Sequence, residues 1–180
     1  TGWLPKYWAG LHGVSVAQAG GLAALYSVLA SLSRVGGGRL ADAVGGGRTA
    51  IVSLLILAVC AAAMSAVAPV PFAIAAMVGM AVSMGTVNAA VFKLVPQVVP
   101  DAVGGAAGWV GGLGAFGGFV IPNVMAAFLN GGAVGYARGF LTFVGLALMS
   151  TVVIIVATVS RKTAPGESVP EKSVDQSVEE

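Results

Sequence analysis

Arg34 is the residue whose type and position point most directly to chemistry. It ends a stretch in which no residue from Tyr7 to Ser33 carries a charged side chain. A guanidinium at membrane depth costs at least ~2.5 kcal/mol on insertion scales unless it faces water or a partner. Its donors can pair with a small planar oxyanion, and it stays protonated at any biological pH. Arg34 is therefore a candidate anion site in a central cavity, and a snorkelling anchor at the interface is the alternative.

A glycine-rich segment is the second candidate. Eight glycines lie between Gly104 and Gly118, and each would destabilise a soluble helix by ~1 kcal/mol relative to alanine. Small residues recur there at helical spacing, at Gly104, Gly108, Gly111, Ala115 and Gly118. Such a stripe lets a neighbouring backbone or a ligand approach closely. We expect it either to serve helix packing alone or also to line a substrate path.

Asn88 and Lys93 are the polar residues of a further apolar segment. Asn88 should face another helix or a cavity, so packing and substrate contact both stay open. Lys93 is expected to anchor the end of a membrane span rather than to bind substrate. No Asp, Glu or His lies within the apolar interior of the chain, so no proton carrier is evident.

Neither a cofactor nor a resident metal is expected. The chain has one cysteine, Cys60, and one histidine, His12, so no metal-ligand spacing occurs. No pairing of a nucleophile with a base is visible either. The sequence therefore argues against an enzyme.

Composition determines which elements must hold these residues. Of 180 residues, 57% are hydrophobic and 9% are charged, whereas a soluble domain has roughly 25% charged residues. Three uncharged stretches, Thr49–Phe92, Ala102–Ala137 and Gly139–Ser160, are each long enough to cross a bilayer. Glycine and alanine are abundant and period-two alternation is absent, which favours packed helices. We predict an all-α, polytopic membrane helix bundle.

Five full spans can be drawn within residues 10–160, and residues 1–9 are interpreted as the end of a preceding membrane helix. Pro96 and Pro100 are predicted to stop the third span, and Asp101 is a plausible N-cap for the fourth. The last span is followed by Arg161 and Lys162. The predicted spans are Val16–Ala43, Thr49–Val67, Phe72–Val95, Ala102–Leu129 and Ala137–Val159.

Loop charges predict the orientation. One side collects Arg39, Arg48, Arg161 and Lys162, whereas the other has Lys6 and Arg138. Lys and Arg near span ends stay in the cytoplasm, so the richer side is cytoplasmic in an inner (plasma) membrane. Residues 161–180 are too polar to bury a core, and we predict a disordered cytoplasmic tail.

The loop between the first two full spans, Gly38–Arg48, resembles the cytoplasmic loop motif of the major facilitator superfamily. That motif follows the second helix of each half of a twelve-helix fold. The resemblance implies that the five spans are helices eight to twelve and that residues 1–9 end helix seven. It also implies a conformational gate that includes Gly38, Asp42 and Arg48.

Two further segments resemble the NarK-like nitrate/nitrite porters of that superfamily. Asn88–Pro96 is similar to the family's tenth helix, and Gly108–Pro122 to its glycine-rich nitrate signature in helix eleven. Arg34 matches the substrate-binding arginine of helix eight. The resemblance implies that nitrate or nitrite is bound between this half and an N-terminal half of six to seven helices. The implied substrate-binding residues are Arg34, Asn88, Gly111, Gly114, Gly117 and Gly118.

These expectations predict alternating-access transport in nitrate assimilation, as nitrate/nitrite antiport or as proton-coupled nitrate uptake. Two alternatives stay open. One is a facilitator for another small solute, and the other is a non-transporting fragment of a disrupted porter. The sequence alone does not decide substrate preference, direction of flux or oligomeric state.

Overall fold

The computed structural model describes residues 2–163, apart from the side chains of residues 130, 131 and 159–163. Helices make up almost all of this part of the chain, and it contains no strand. Short 3-10 turns at Pro100–Ala102 and Ala127–Gly131 flank the fifth helix. The α-helices are α1 (Trp3–His12), α2 (Val16–Val44), α3 (Gly46–Ser65), α4 (Val70–Val98), α5 (Val103–Ala126), α6 (Ala133–Arg138) and α7 (Leu141–Thr163).

The boundaries of α1, α2 and α3 follow from local chemistry. Gly13 ends α1 with a φ of 65°, a left-handed conformation that glycine adopts without strain. Ser15 then starts α2 through a capping box with Gln18, in which each side chain bonds the other residue's backbone N–H. Gly45, with a φ of 97°, separates α2 from α3. The α2–α3 connection is therefore a single residue long.

Two sequence predictions about helix ends differ from the structure. Pro96 does not stop the third span, because α4 continues to Val98 and ends just before Pro100. A proline removes only its own N–H bond, and less than one further turn follows it. Asp101 does not cap α5, since it lies inside a 3-10 turn and the N-cap is Ala102 without a side-chain bond.

The end of the chain is also divided differently from the prediction. The last predicted span, Ala137–Val159, begins in the last two residues of α6, is broken at Gly139 and Phe140, and continues in α7. α7 runs to Thr163, beyond the predicted span end at Val159. Residues 164–180 of the predicted tail lie outside the described residues.

Within residues 2–163, five segments are long and apolar enough to cross a membrane, judged by length and composition. Together with the helical content, they confirm the predicted all-α, polytopic membrane bundle. The segments are Val16–Val44, Gly46–Ser65, Val70–Val98, Pro100–Leu129 and Ala133–Thr158.

Three of these helices, α2, α3 and α4, form the densest part of the bundle. α2 and α4 touch at Gly85, where an added Cβ would overlap the carbonyl oxygen of Ala30 and lie 2.8 Å from Cβ of Ser33. At Gly37 an added Cβ would lie 2.6 Å from Cα of Thr86. Glycine is therefore required at both positions of this helix crossing.

The α5 helix packs much less than its neighbours. Met125 is its one buried residue, while Trp109 is 73% exposed and Phe119 is 72% exposed. The predicted glycine stripe is open: no atom lies within 4 Å of a Cβ added at Gly104, Gly108, Gly111 or Gly118. No described helix of this chain therefore uses the stripe for packing.

Candidate functional site

A cavity of about 510 Å³ lies between α1, α2, α4, α5 and the start of α7. Its wall is mostly apolar, with methionine and aromatic side chains. Two glycines of α5 face it and leave space that a side chain would fill. The lining residues are Trp3, Leu4, Tyr26, Arg34, Met80, Met84, Gly114, Gly118, Ile121, Pro122, Met125, Phe140 and Phe143.

Arg34 is the one charged residue among those that line this cavity. It lies between Ser33 and Gly37, the residues of α2 that contact Gly85 and Thr86 of α4. The closest part of the helix crossing therefore sets the depth of Arg34. The guanidinium forms no ion pair or hydrogen bond with any described residue.

No carboxylate of the described chain can neutralise Arg34 at this position. Within residues 2–163 the acidic residues are Asp42 and Asp101. Asp42 pairs with Lys93, and Asp101 is exposed in the turn before α5. A cation with no acidic partner, beside an apolar cavity, is suited to hold a small anion.

The structure brings some of the predicted substrate residues together and leaves others apart. Gly114 and Gly118 share the cavity wall with Arg34, whereas Gly111 and Gly117 do not line it. Gly111 is exposed with open space around it, and at Gly117 an added Cβ would meet Cδ1 of Ile121 at 3.7 Å. Part of the predicted glycine set therefore faces the same space as the arginine.

Asn88 is half-buried and does not line the cavity. It occupies the next helical position on the stripe of α4 that carries Met80 and Met84, because four residues separate each pair. Gly37 of α2 and Thr86 of α4 are at the same height along the bundle, because they contact each other. Asn88 is two residues from Thr86, and its height along the bundle is therefore within about one helical turn of that of Arg34. Asn88 is thus adjacent to the cavity, on the same face of α4.

The predicted gate residues lie at the basic end, which we define as the end of the bundle that carries Arg39, Arg48 and Lys93. Asp42 of α2 forms an ion pair with Lys93 of α4, and both side chains are more than one-third exposed. Gly38 and Arg48 are not part of this pair. The ion pair joins the two helices that cross at Gly85.

Sequence reasoning missed most of the cavity wall. Met80, Met84 and Phe143 resemble ordinary membrane-helix residues, so residue type alone does not mark them. Tyr26 precedes Arg34 by eight residues, which places it two turns earlier and about 80° around α2, so the spacing alone is a weak signal. The structure brings both side chains to the same cavity.

Comparison with known proteins identifies relatives of this chain. A probable nitrate/nitrite transporter, NarK2, of Mycobacterium tuberculosis is 32% identical over 153 residues, which cover 83% of this chain and 38% of that protein. A probable nitrate/nitrite antiporter, NarK1, of Thermus thermophilus is 31% identical over 145 residues, covering 70% of this chain and 33% of that protein. The chain thus spans less than two-fifths of the length of these curated relatives. No solved structure matches it significantly.

A broader comparison addresses the family. The sequence matches the Major Facilitator Superfamily over residues 1–180. The all-helical bundle with five membrane-length segments agrees with that match. This chain therefore belongs to the Major Facilitator Superfamily.

Proposed function

We propose that this chain is the C-terminal part of a nitrate/nitrite porter that works by alternating access. The main support is Arg34, a guanidinium with no acidic partner on the wall of an apolar cavity. The nitrate/nitrite transporter names of the relatives favour nitrate or nitrite as the anion. Residues 10–160 would supply helices eight to twelve, and residues 1–9 the end of helix seven.

In this proposal the anion lies between two halves of the porter. Arg34 contributes one positive charge, and the resemblance to nitrate/nitrite porters implies a second arginine in the N-terminal half. Two cations repel each other without an anion between them, so binding supplies the differential stabilisation that permits switching. The halves then rock about the occupied site.

The coupling follows from which groups can carry protons. Within residues 2–163, the acidic residues Asp42 and Asp101 both lie at helix ends. Nitrate/nitrite antiport, in the service of nitrate assimilation, needs no proton carrier in this half. Proton-coupled nitrate uptake would place the titrating group in the N-terminal half or on the anion.

Orientation and gating complete the proposal. The basic end is cytoplasmic, because Lys and Arg concentrate there in an inner (plasma) membrane protein. The Asp42–Lys93 pair then holds α2 to α4 at the cytoplasmic mouth. Gly38 and Arg48 complete the proposed gate around the one-residue α2–α3 connection.

The experiment is nitrate uptake into vesicles by the complete porter that contains this chain. Arg34→Ala removes the charge, and Arg34→Lys keeps the charge without the planar fork of donors. We expect uptake to fall to background in Arg34→Ala and to stay strongly reduced in Arg34→Lys. Arg39→Ala is the matched control, because Arg39 is exposed on α2, as Arg34 is, but does not line the cavity.

Wild-type uptake by both Arg34 variants would overturn the anion-site proposal. Nitrate entry is also measured in vesicles that contain trapped nitrite or, for comparison, trapped chloride. This measurement distinguishes nitrate/nitrite exchange from a carrier for another small solute. An exchanger accelerates nitrate entry when nitrite is trapped inside. A carrier for another solute shows no such acceleration.

A further inference from the structure

Tyr26 offers the second polar group of the Arg34 cavity. Among the lining side chains, only Trp3, Tyr26 and Arg34 contain polar atoms. The Trp3 indole donates its Nε1–H to the carbonyl oxygen of Tyr136 at 3.0 Å. Tyr26 forms no hydrogen bond with any described residue, so its hydroxyl keeps its capacity to donate one.

The position of Tyr26 on α2 mirrors that of Arg34. The helix runs from Val16 to Val44, which makes Ala30 its middle residue. Tyr26 and Arg34 each lie four residues from Ala30, about 6 Å along the axis on either side. Eight residues are two full turns plus about 80° of rotation, and both side chains line the same cavity.

The surroundings of Tyr26 differ from those of Arg34. Tyr26 lies toward the end of the bundle opposite the basic end, where α7 begins. Phe140, which directly precedes α7, and Phe143, in the first turn of α7, line the cavity there. An anion that passes this apolar wall loses water, so a single neutral donor there is worth more than it would be in solvent.

On the path of a transported anion, a neutral hydroxyl is better suited than a second cation, because it binds the anion less tightly. A hydrogen bond to a charged group offsets part of the lost hydration without holding the anion as tightly as a guanidinium. A carrier needs such moderate binding, because the ion must leave as well as enter. Side chains of a helix lean toward its N-terminus. The guanidinium of Arg34 therefore leans toward Ala30, and the Tyr26 hydroxyl leans in the same direction, toward the end of the bundle away from the basic end.

We propose that Tyr26 is a substrate-positioning residue whose hydroxyl donates a hydrogen bond to a small monovalent oxyanion on the side of Arg34 away from the basic end. This inference rests on the proposed function, since it assumes that Arg34 marks the anion site. It adds a second contact, from the same helix, to the path of the anion.

The test is Tyr26→Phe in the complete porter, with nitrate as the probe. The substitution removes the hydroxyl and keeps the ring. We expect the KM for nitrate to rise about tenfold, while the maximal rate and the unfolding temperature stay close to wild type. A purely structural role for Tyr26 would change the unfolding temperature and leave KM unmoved.

Tyr136→Phe is the matched control, because Tyr136 lies on α6 against Trp3 and does not line the cavity. An unchanged KM in Tyr26→Phe, or an equal rise in Tyr136→Phe, would overturn the proposal. Failure here is distinct from failure of the anion site. If Tyr26→Phe behaves as wild type while Arg34→Ala abolishes uptake, Tyr26 has no positioning role and Arg34 keeps its own.

Discussion

The glycines of the α2–α4 crossing and those of α5 have opposite surroundings. At Gly37 and Gly85 a methyl group would collide with the backbone of the facing helix. At Gly111 and Gly118 a methyl group would meet no atom within 4 Å. The same residue type therefore permits close helix contact in one region and leaves an open surface in the other. Glycine density in the sequence does not reveal which use applies.

Gly85→Ala should have the largest effect on stability. The new methyl group would overlap the Ala30 carbonyl oxygen, so α2 and α4 must separate. Overpacking of this kind costs about 3 kcal/mol. We expect a lower unfolding temperature in detergent and poor recovery of folded protein.

Gly111→Ala is the control for that change. It meets no atom within 4 Å, and alanine is the better helix former by ~1 kcal/mol. Its unfolding temperature should equal or exceed that of the wild type. Equal destabilisation by both substitutions would remove the contrast between the two regions.

Gly118→Val should affect transport more than folding. Gly118 lines the Arg34 cavity and a Cβ added there meets no atom within 4 Å, so a valine would occupy cavity volume. We expect nitrate uptake to fall about tenfold, because a misplaced ion loses the contacts that position it. Vesicle uptake and the unfolding temperature should be measured on the same preparation.

Gly111→Val tests how far along α5 the site extends. Gly111 belongs to the predicted nitrate signature but does not line the cavity. We expect a smaller loss of uptake than in Gly118→Val. An equal loss would mean that the anion path continues past the cavity along the open stripe.

Asp42→Asn should change the transport rate by a few-fold and stability very little. Both partners of the Asp42–Lys93 pair are more than one-third exposed, and exposed pairs contribute at most about 1 kcal/mol. If the pair holds the basic end closed, the exchanged pair, Asp42→Lys with Lys93→Asp, should restore the rate. Asp101→Asn, at an exposed aspartate in the turn before α5, should have no effect.

Acidification should produce the smallest effect, at His12, which lies outside the proposed spans. Burial lowers the pKa of His12 below its ordinary value of 6.5. The unfolded chain then binds a proton more readily, so stability is full above pH 6.5 and declines as the pH falls below it. We expect the unfolding temperature to fall by no more than about 2 °C between pH 7.5 and 5.5.

His12→Asn should flatten that dependence, because the chain has no other histidine. His12 contacts the Tyr7 hydroxyl through Nε2 at 3.1 Å, and Tyr7 packs edge-on against Phe140 of the cavity wall. A pH profile that persists in His12→Asn would assign the titration to another group.

Much of the fold could be predicted from hydropathy and from a few helix-breaking residues. The uncharged stretches indicated five membrane-length helices because a bilayer requires long apolar segments whose backbone is internally bonded. The end of α4 could not be predicted from Pro96, since a proline near a helix terminus costs only one hydrogen bond. The start of α5 depended on a 3-10 turn that contains Asp101, and no side-chain pattern signals that turn.

The candidate site was only partly predictable. Arg34 stood out because a charge in an apolar segment is costly, and the glycine-rich segment stood out by composition. Which glycines face Arg34 depends on the rotation of α5, and Gly114 and Gly118 lie on the cavity wall whereas Gly117 does not. The Asp42–Lys93 contact joins residues 51 positions apart, and only the crossing of α2 with α4 brings them together.

The sequence by itself determined that this protein crosses a membrane as a helix bundle and carries a lone arginine in an apolar segment, because transfer free energies depend on residue type and order. Tertiary structure alone decided that Tyr26, Gly114 and Gly118 share a cavity with that arginine, and that the glycines of α2 and α4 carry the tight contact. The reason is geometric: helix rotation and crossing depend on contacts between distant segments, which no local pattern encodes.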